Sequence, residues 1–238
     1  MKKIIWLFIL IIGLNWFHQA NAQTLNLDLV WETDSYTPAE YLGKSLVAVG
    51  STIRVTALSD TKNLEYWWRL DDYELPDYSG LNKNSFTFKA TKISGQAHLV
   101  YLIVKSGGKN IASKTLEIPV VNPLIVFYEQ DPILGETFNK SFAGAYQLAK
   151  PEITFVAEPF FFSRANVNNL QYTWLLNNQK VAADSGNGRV ITFTTPASGG
   201  QGTNEIKLLA ENPANALQYI QNSFSIIFNS TATNDATF

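Results

Sequence analysis

The sequence predicts an all-β protein: two similar β-sandwiches in tandem behind an N-terminal export signal. Three observations predict it. Short segments with alternating apolar residues recur along the chain, five motifs appear twice in the same order, and no helical period exceeds two turns. The 238 residues are 46% hydrophobic and only 16% charged, which suits one large domain or two of about 100 residues and excludes a long disordered chain.

Residues 1–22 read as the signal. Lys2 and Lys3 make a charged start, Ile4 to Leu14 is an almost unbroken apolar run, and Ala20-Asn21-Ala22 fits the small-x-small cleavage rule, with Gln23 as the new N-terminus. The run is short for a span of about 20 residues, so cleavage is favoured over anchoring. Cleavage leaves 216 residues and takes the formal charge from −2 to −4. That mild acidity, without a basic cluster, argues against nucleic acid or an anionic membrane as partner. The chain has no cysteine, which excludes a disulfide scaffold, a thiolate metal site, a cysteine nucleophile and a lipoprotein anchor. The expected location is secreted, periplasmic or cell-surface, with no membrane span in the mature chain.

The duplication is carried by five pairs of segments. Leu29-Val-Trp-Glu-Thr-Asp34 matches Val126-Phe-Tyr-Glu-Gln-Asp131, and Leu42-Gly-Lys-Ser-Leu46 matches Phe138-Asn-Lys-Ser-Phe142. Ile53-Arg-Val-Thr-Ala57 matches Ile153-Thr-Phe-Val-Ala157, and Leu64-Glu-Tyr-Trp-Trp-Arg-Leu70 matches Leu170-Gln-Tyr-Thr-Trp-Leu-Leu176. Tyr78-Ser-Gly80 matches Asp184-Ser-Gly186. The offset drifts through 97, 96, 100, 106 and 106, as one ancestral unit with loop insertions in its second copy requires.

Each copy is read as strands. Leu64, Tyr66, Trp68 and Leu70 alternate with Glu65, Trp67 and Arg69, the two-residue period of a half-buried strand, and Leu170, Tyr172, Trp174 and Leu176 repeat it. The first copy adds Leu27–Glu32, Thr52–Ala57, Ser85–Ala90, Ala97–Lys105 and Ser113–Val120. The second adds Leu124–Glu129, Glu152–Ala157, Val190–Thr195, Asn204–Glu211 and Ser223–Phe228. Ser106-Gly-Gly108, Asn187-Gly188 and Ser198-Gly-Gly200 punctuate them as turns. Ala143–Leu148 is the one stretch with a short helical reading. Pro123 lacks an amide hydrogen and biases Asn122 toward extended backbone, so the boundary falls there. The expected layout is 1–22 signal, 23–121 first sandwich, 122–229 second sandwich and 230–238 flexible tail.

Tyr66-x-Trp68 and Tyr172-x-Trp174 stand where the third strand of an immunoglobulin-like domain puts its core tryptophan. On these residues the chain resembles small exported bacterial proteins of two immunoglobulin-like, or PKD-like, modules. The resemblance spans nearly all of the mature chain and implies a structural core of Tyr66, Trp68, Tyr172 and Trp174. The inter-sheet cysteines of that fold are absent, so each indole is expected to pack against aliphatics. The PKD signature Trp-Asp-Phe-Gly-Asp-Gly is only echoed, by Trp68-Arg-Leu-Asp-Asp72 and Trp174-Leu-Leu-Asn-Asn178.

Catalytic chemistry finds little footing. His98 is the single histidine of the mature chain and reads as a strand-end residue. There is no Gly-x-Ser-x-Gly elbow, and Gly199-Gly-Gln-Gly202 lacks the strand–loop–helix setting of a phosphate cradle. No enzyme activity and no cofactor are expected. Asp71, Asp72, Glu74 and Asp77 crowd one loop and form a weak Ca²⁺ candidate, but the second copy has Asn177, Asn178, Gln179 and Ala183 in line with them. Glu32 and Asp34 recur as Glu129 and Asp131, which suggests a structural role, a hydrogen bond to a neighbouring loop or a salt bridge to Lys44 or Lys140, with a cation site as the alternative.

Comparing the copies separates core from surface. Outward Trp67 corresponds to Thr173, and outward Leu99, Tyr101 and Ile103 correspond to Glu205, Lys207 and Leu209. Trp67, Leu99, Tyr101 and Ile103 are therefore the candidate interaction face, unless the second copy or the loop Ala39–Leu46 covers them. Phe160, Phe161 and Phe162 are a second candidate, as a recognition loop or as a plug at the junction. The functional expectation is a non-enzymatic surface protein, an adhesive unit or assembly spacer that contacts another cell-surface or extracellular protein. The alternative is a carbohydrate-binding module with Trp67 and Tyr101 stacking on a sugar.

Overall fold

The computed structural model describes residues 25–230 apart from 132, 134, 149, 185–187 and 195–199. The expected signal at 1–22, the expected tail from Thr231, the Ser185-Gly186 end of the fifth repeated motif and the Ser198-Gly199 part of one expected turn lie outside the described residues.

Every strand expected from alternation is present, with ends that differ from the expected ones by up to four residues. The first half holds β1 (Leu27–Thr33), β2 (Val47–Ala48), β3 (Thr52–Ser59), β4 (Glu65–Leu70), β5 (Tyr73–Glu74), β6 (Gly80–Leu81), β7 (Ser85–Lys89), β8 (Ala97–Ser106) and β9 (Lys109–Val121). The second holds β10 (Leu124–Asp131), β11 (Gly135–Phe142), β12 (Gly144–Leu148), β13 (Glu152–Phe160), β14 (Gln171–Leu176), β15 (Gln179–Val181), β16 (Val190–Thr194), β17 (Gly200–Glu211) and β18 (Tyr219–Ser230). Sheet β1-β3-β7 faces sheet β2-β9-β8-β4-β5, with β6 also on β4. Sheet β11-β10-β13-β16 faces sheet β12-β18-β17-β14-β15. In each half the chain starts in one sheet and crosses to the far edge of the other, where β2 and β12 pair in parallel with β9 and β18. This is the order of an immunoglobulin-like sandwich, met twice.

Ala143–Leu148 is not helical. Gly144 starts β12 at φ +83°, and the segment pairs from Gly144↔Phe224 to Leu148↔Phe228. The sheet edge beside β18 supplies more bonding and burial than one isolated helical turn offers.

The two indoles organise the cores as expected. Trp68 and Trp174 are each 1% exposed. The Trp68 Nε1–H donates to the Lys83 carbonyl at 2.8 Å, and the Trp174 Nε1–H to the Gly188 carbonyl at 2.8 Å. Their ring neighbours are aromatic as well as aliphatic: Phe86 lies 5.0 Å from Trp68 and Phe127 5.9 Å from Trp174, centroid to centroid. Phenyl rings thus take up volume that aliphatics alone were expected to fill. Tyr66 is buried, whereas Tyr172 is half-buried at the core margin, with its hydroxyl enclosed and without a hydrogen-bond partner.

The copies also share one turn in atomic detail. Asp71 and Asp72 take φ of 49° and 70°, Asn177 and Asn178 of 49° and 67°. Two successive left-handed residues make the tight hairpin that suits strand twist, and Asp and Asn tolerate it better than most residues. Asp71 exchanges two bonds with Leu99: its N–H donates to the Leu99 carbonyl, and its Oδ1 accepts the Leu99 N–H. Asn177 does the same with Glu205.

The two sandwiches meet over more than the Asn122-Pro123 link. Tyr36 donates its N–H to the Phe162 carbonyl at 2.7 Å and accepts the Phe161 N–H at 2.7 Å, while Arg164 donates to the Asp34 carbonyl. Ser35 bridges Ser163. From the other side, Asn215 and Gln218 both donate side-chain N–H to the Val49 carbonyl. Gly50, at φ +83°, allows this approach: a Cβ there would lie 2.4 Å from the Asn215 Nδ2. Buried Glu158 accepts from the Tyr36 hydroxyl at 3.0 Å and from Arg189. Buried polar groups placed this way are satisfied, as a stable junction requires.

Candidate interaction face

The face is built by β4 and β8. Inward Tyr66, Trp68, Val100, Leu102 and Val104 are buried, so alternation turns Trp67, Arg69, Leu99, Tyr101, Ile103 and Lys105 outward. Register places Trp67 opposite Ile103 and Arg69 opposite Tyr101. Trp67 and Leu99 are each 43% exposed, and Tyr101 and Ile103 are half-buried among their neighbours. The four residues expected on one face therefore share it. Within the loop Ala39–Leu46, one of the proposed covers, Tyr41 packs instead on Phe160 and Phe161.

Two cations lie over the rings. The Lys105 Nζ sits 4.2 Å from the Trp67 ring centroid, and the Arg69 Cζ 5.8 Å from that of Tyr101. Arg69 reaches Asp72 only at 3.7 Å, and its Nε is enclosed without an acceptor. A hollow of about 260 Å³ lies between Trp67, Ile103 and the Glu74–Pro76 segment. A second, of about 310 Å³, lies over Leu99, Tyr101 and Thr115. The second sandwich presents a polar surface here: Lys207 pairs with Glu205 at 3.1 Å and donates to Asn178 at 2.8 Å.

Other candidates resolve differently. Phe160, Phe161 and Phe162 are buried and offer no open recognition loop. Phe162 joins the second core, while Phe160 and Phe161 pack with Ala48, Leu46 and Val126 at the junction. The Ca²⁺ candidate also fails. Asp71 spends its carboxylate on the Leu99 amide, on Lys92 at 2.9 Å and on His98 at 2.6 Å. Burial alone would raise the Asp71 carboxyl, but these bonds outweigh it and hold it below the usual carboxylate range. Asp72, Glu74 and Asp77 are exposed, and among the described residues no three acidic or imidazole groups gather as a metal set.

Sequence reasoning missed the bonding of His98. It is buried, and its Nε2 accepts the Thr91 N–H at 3.3 Å, which leaves the proton on Nδ1 for Asp71. With both nitrogens engaged it has no free lone pair for base catalysis. The second copy supplies the signal that finds this pair: Asn204 stands 106 residues after His98 and joins Asn177 at the same place, with the direction reversed, the Asn177 Nδ2–H donating to the Asn204 Oδ1. Of the structural roles expected for the carboxylates, a hydrogen bond to a neighbouring segment is formed by Asp34, and the salt bridge to Lys44 is not. Lys44 sits over the Trp31 ring at 3.3 Å, Asp34 accepts the Thr52 N–H, and Glu129 takes Lys150 and the Tyr146 hydroxyl. The side chain of Lys140 lies outside those described.

No family model matches the chain, and no curated protein matches it. Among solved structures, the fibronectin(III)-like modules of CbhA from Clostridium thermocellum share 13% identity over 88% of this chain and 99% of theirs, at a TM-score of 0.27. The Ig1-2 module of the Drosophila receptor protein tyrosine phosphatase DLAR shares 9% over 86% and 99%, at 0.28. The Ig1-Ig3 ectodomain of mouse nectin-like molecule 4 shares 11% over 86% and 67%, at 0.32. Superpositions this loose add no weight, and the fold assignment rests on the strand order above.

Proposed function

We propose that this is a non-enzymatic exported protein whose first sandwich binds another cell-surface or extracellular protein through the Trp67 face, with the second sandwich as a rigid spacer. The observation that carries the reading is the contrast between the copies. The same sheet position bears Trp67, Leu99, Tyr101 and Ile103 in one and Thr173, Glu205, Lys207 and Leu209 in the other, where Glu205 and Lys207 pair with each other. A sandwich core does not need an exposed indole, and aromatic anchors flanked by arginine are the usual centres of protein contacts. The cations over Trp67 and Tyr101 weigh against sugar stacking, which needs an open ring platform.

A photo-crosslinker at Leu99, introduced in the native cell, tests this. The expected result is a discrete adduct with one envelope protein, lost on Trp67→Ala while the variant keeps a wild-type circular dichroism spectrum. Absence of any adduct, combined with retention on a glycan array, overturns the protein reading in favour of the carbohydrate one.

A further inference from the structure

The sheet β1-β3-β7 ends on a bare edge. Within the β3–β7 ladder, Val55 is opposite Phe86 and Ile53 opposite Phe88. The flanking bonds, Ala57 N–H to the Asn84 carbonyl and Ala90 N–H to the Ser51 carbonyl, fix the phase. Antiparallel pairs alternate, so Phe86 and Phe88 exchange their bonds with β3, and Ser85, Thr87 and Lys89 turn their N–H and C=O groups away from the sheet. No other strand lies beside β7 among the described residues, and Thr87 and Lys89 are exposed.

Other outer strands of this sandwich are guarded, as exposed edges usually are. β5 has only two residues. β1 carries Asp28 and Glu32, and Lys114 reaches from β9 to the Leu27 carbonyl and Asp28. β7, Ser-Phe-Thr-Phe-Lys, has neither proline nor acid, and its single charge is Lys89.

We propose that β7 is a self-association edge that pairs antiparallel with β7 of a second copy of this chain, centred on Thr87. The two three-stranded sheets then join into one. The sequence of β7 is complementary to itself in this register. Thr87 meets Thr87, Ser85 meets Lys89 of the second copy, and Phe86 meets Phe88, so no like charges oppose each other. Sliding the pair until Lys89 faces Lys89 places two ammonium groups together, which is destabilising, so the charge selects the register. Pairing also covers Phe88, which stacks on Phe86 at 5.6 Å and is half-buried at the rim. The edge belongs to the sheet opposite the Trp67 face, so this inference does not rest on the proposed binding role.

Sedimentation velocity of the mature chain over a concentration series is the test. So short an interface is of the weak class, and half-dimerisation is expected at about 10–1,000 µM. Thr87→Pro removes an outward N–H without touching the β3 ladder, and Thr87→Lys sets lysine against lysine at the centre. Each is expected to weaken dimerisation at least about tenfold with unchanged circular dichroism, and Trp67→Ala to leave it intact. If Thr87→Pro misfolds, Thr87→Lys decides. A wild type that stays monomeric throughout overturns the proposal. So does a dimer that survives Thr87→Lys, or one abolished by Trp67→Ala.

Discussion

Trp67 and Trp68 are neighbours in sequence and opposites in environment, which makes their truncations a controlled pair. Trp68 is 1% exposed, packs on Phe86 and donates to the Lys83 carbonyl. A buried indole removes roughly 200 Å² from water, or about 5 kcal/mol at about 25 cal/mol per Å². Trp68→Ala is therefore expected to cost about 3–5 kcal/mol, with a further contribution of about 1 kcal/mol from the orphaned carbonyl. That is most of the stability of a sandwich of this size. Trp67 keeps 43% of its surface in water and has one ammonium over its ring. Trp67→Ala is expected to cost about 1–2 kcal/mol. Denaturant unfolding followed by near-ultraviolet circular dichroism and by hydrogen exchange resolved along the chain reads both. Trp68→Ala should strip protection from β3, β4 and β8 and spare β13, β14 and β17. Equal costs for the two variants, or a wild-type-like melt for Trp68→Ala, refutes the assignment of faces on β4 and with it the interaction face.

Other outcomes follow from the same geometry. Glu158→Ala removes the buried carboxylate that takes half-buried Arg189 and the Tyr36 hydroxyl, and is expected to cost about 1–3 kcal/mol in equilibrium unfolding; an unchanged midpoint contradicts the junction network. The Asp71 carboxyl is held low in the fold, so its contribution is present above the unfolded value near pH 4 and lost as pH falls through the folded one. Asp71→Asn, which copies Asn177, should flatten that acid limb, and an acid-unfolding curve identical to wild type counts against it. Burial, with the bond and charge of Glu129, raises the Tyr146 hydroxyl above its usual range, and burial, with the charge of Tyr36, raises that of Tyr172. Their contribution is complete below about pH 10 and lost as pH rises through the folded values. Phenolate absorbance should therefore show tyrosines that ionise only with unfolding, and free titration of all 10 near pH 10 refutes this.

Strands whose inner face is a run of Leu, Val, Ile, Tyr or Trp were legible, because burial on one side writes a two-residue period into β3, β4, β8 and their counterparts. The outward set on β4 and β8 was legible because the second copy keeps the inner residues and replaces the outer ones. β11 and β12 were not, since Gly135–Leu148 takes its conformation from the edges it meets rather than from its own pattern. Nor was the His98–Asp71 pair, whose members stand 27 residues apart, one on β8 and the other in the turn after β4. The fate of Phe160 to Phe162 also depended on a distant partner. Three consecutive phenylalanines fit a plug or a lure equally well until Tyr36 and Tyr41 are placed against them.

That plug limits how the architecture can grow. The longer connection after β13, residues 161–170, supplies the Phe161 ring and the Phe162 carbonyl that the first sandwich grips, whereas the corresponding stretch 60–64 after β3 is shorter and has no aromatic ring. A third unit made by copying the first would arrive without the piece that its predecessor holds. The pair is thus a matched couple rather than two links of a chain, and lengthening it by simple tandem repetition would produce a floppy joint where the present one is stiff.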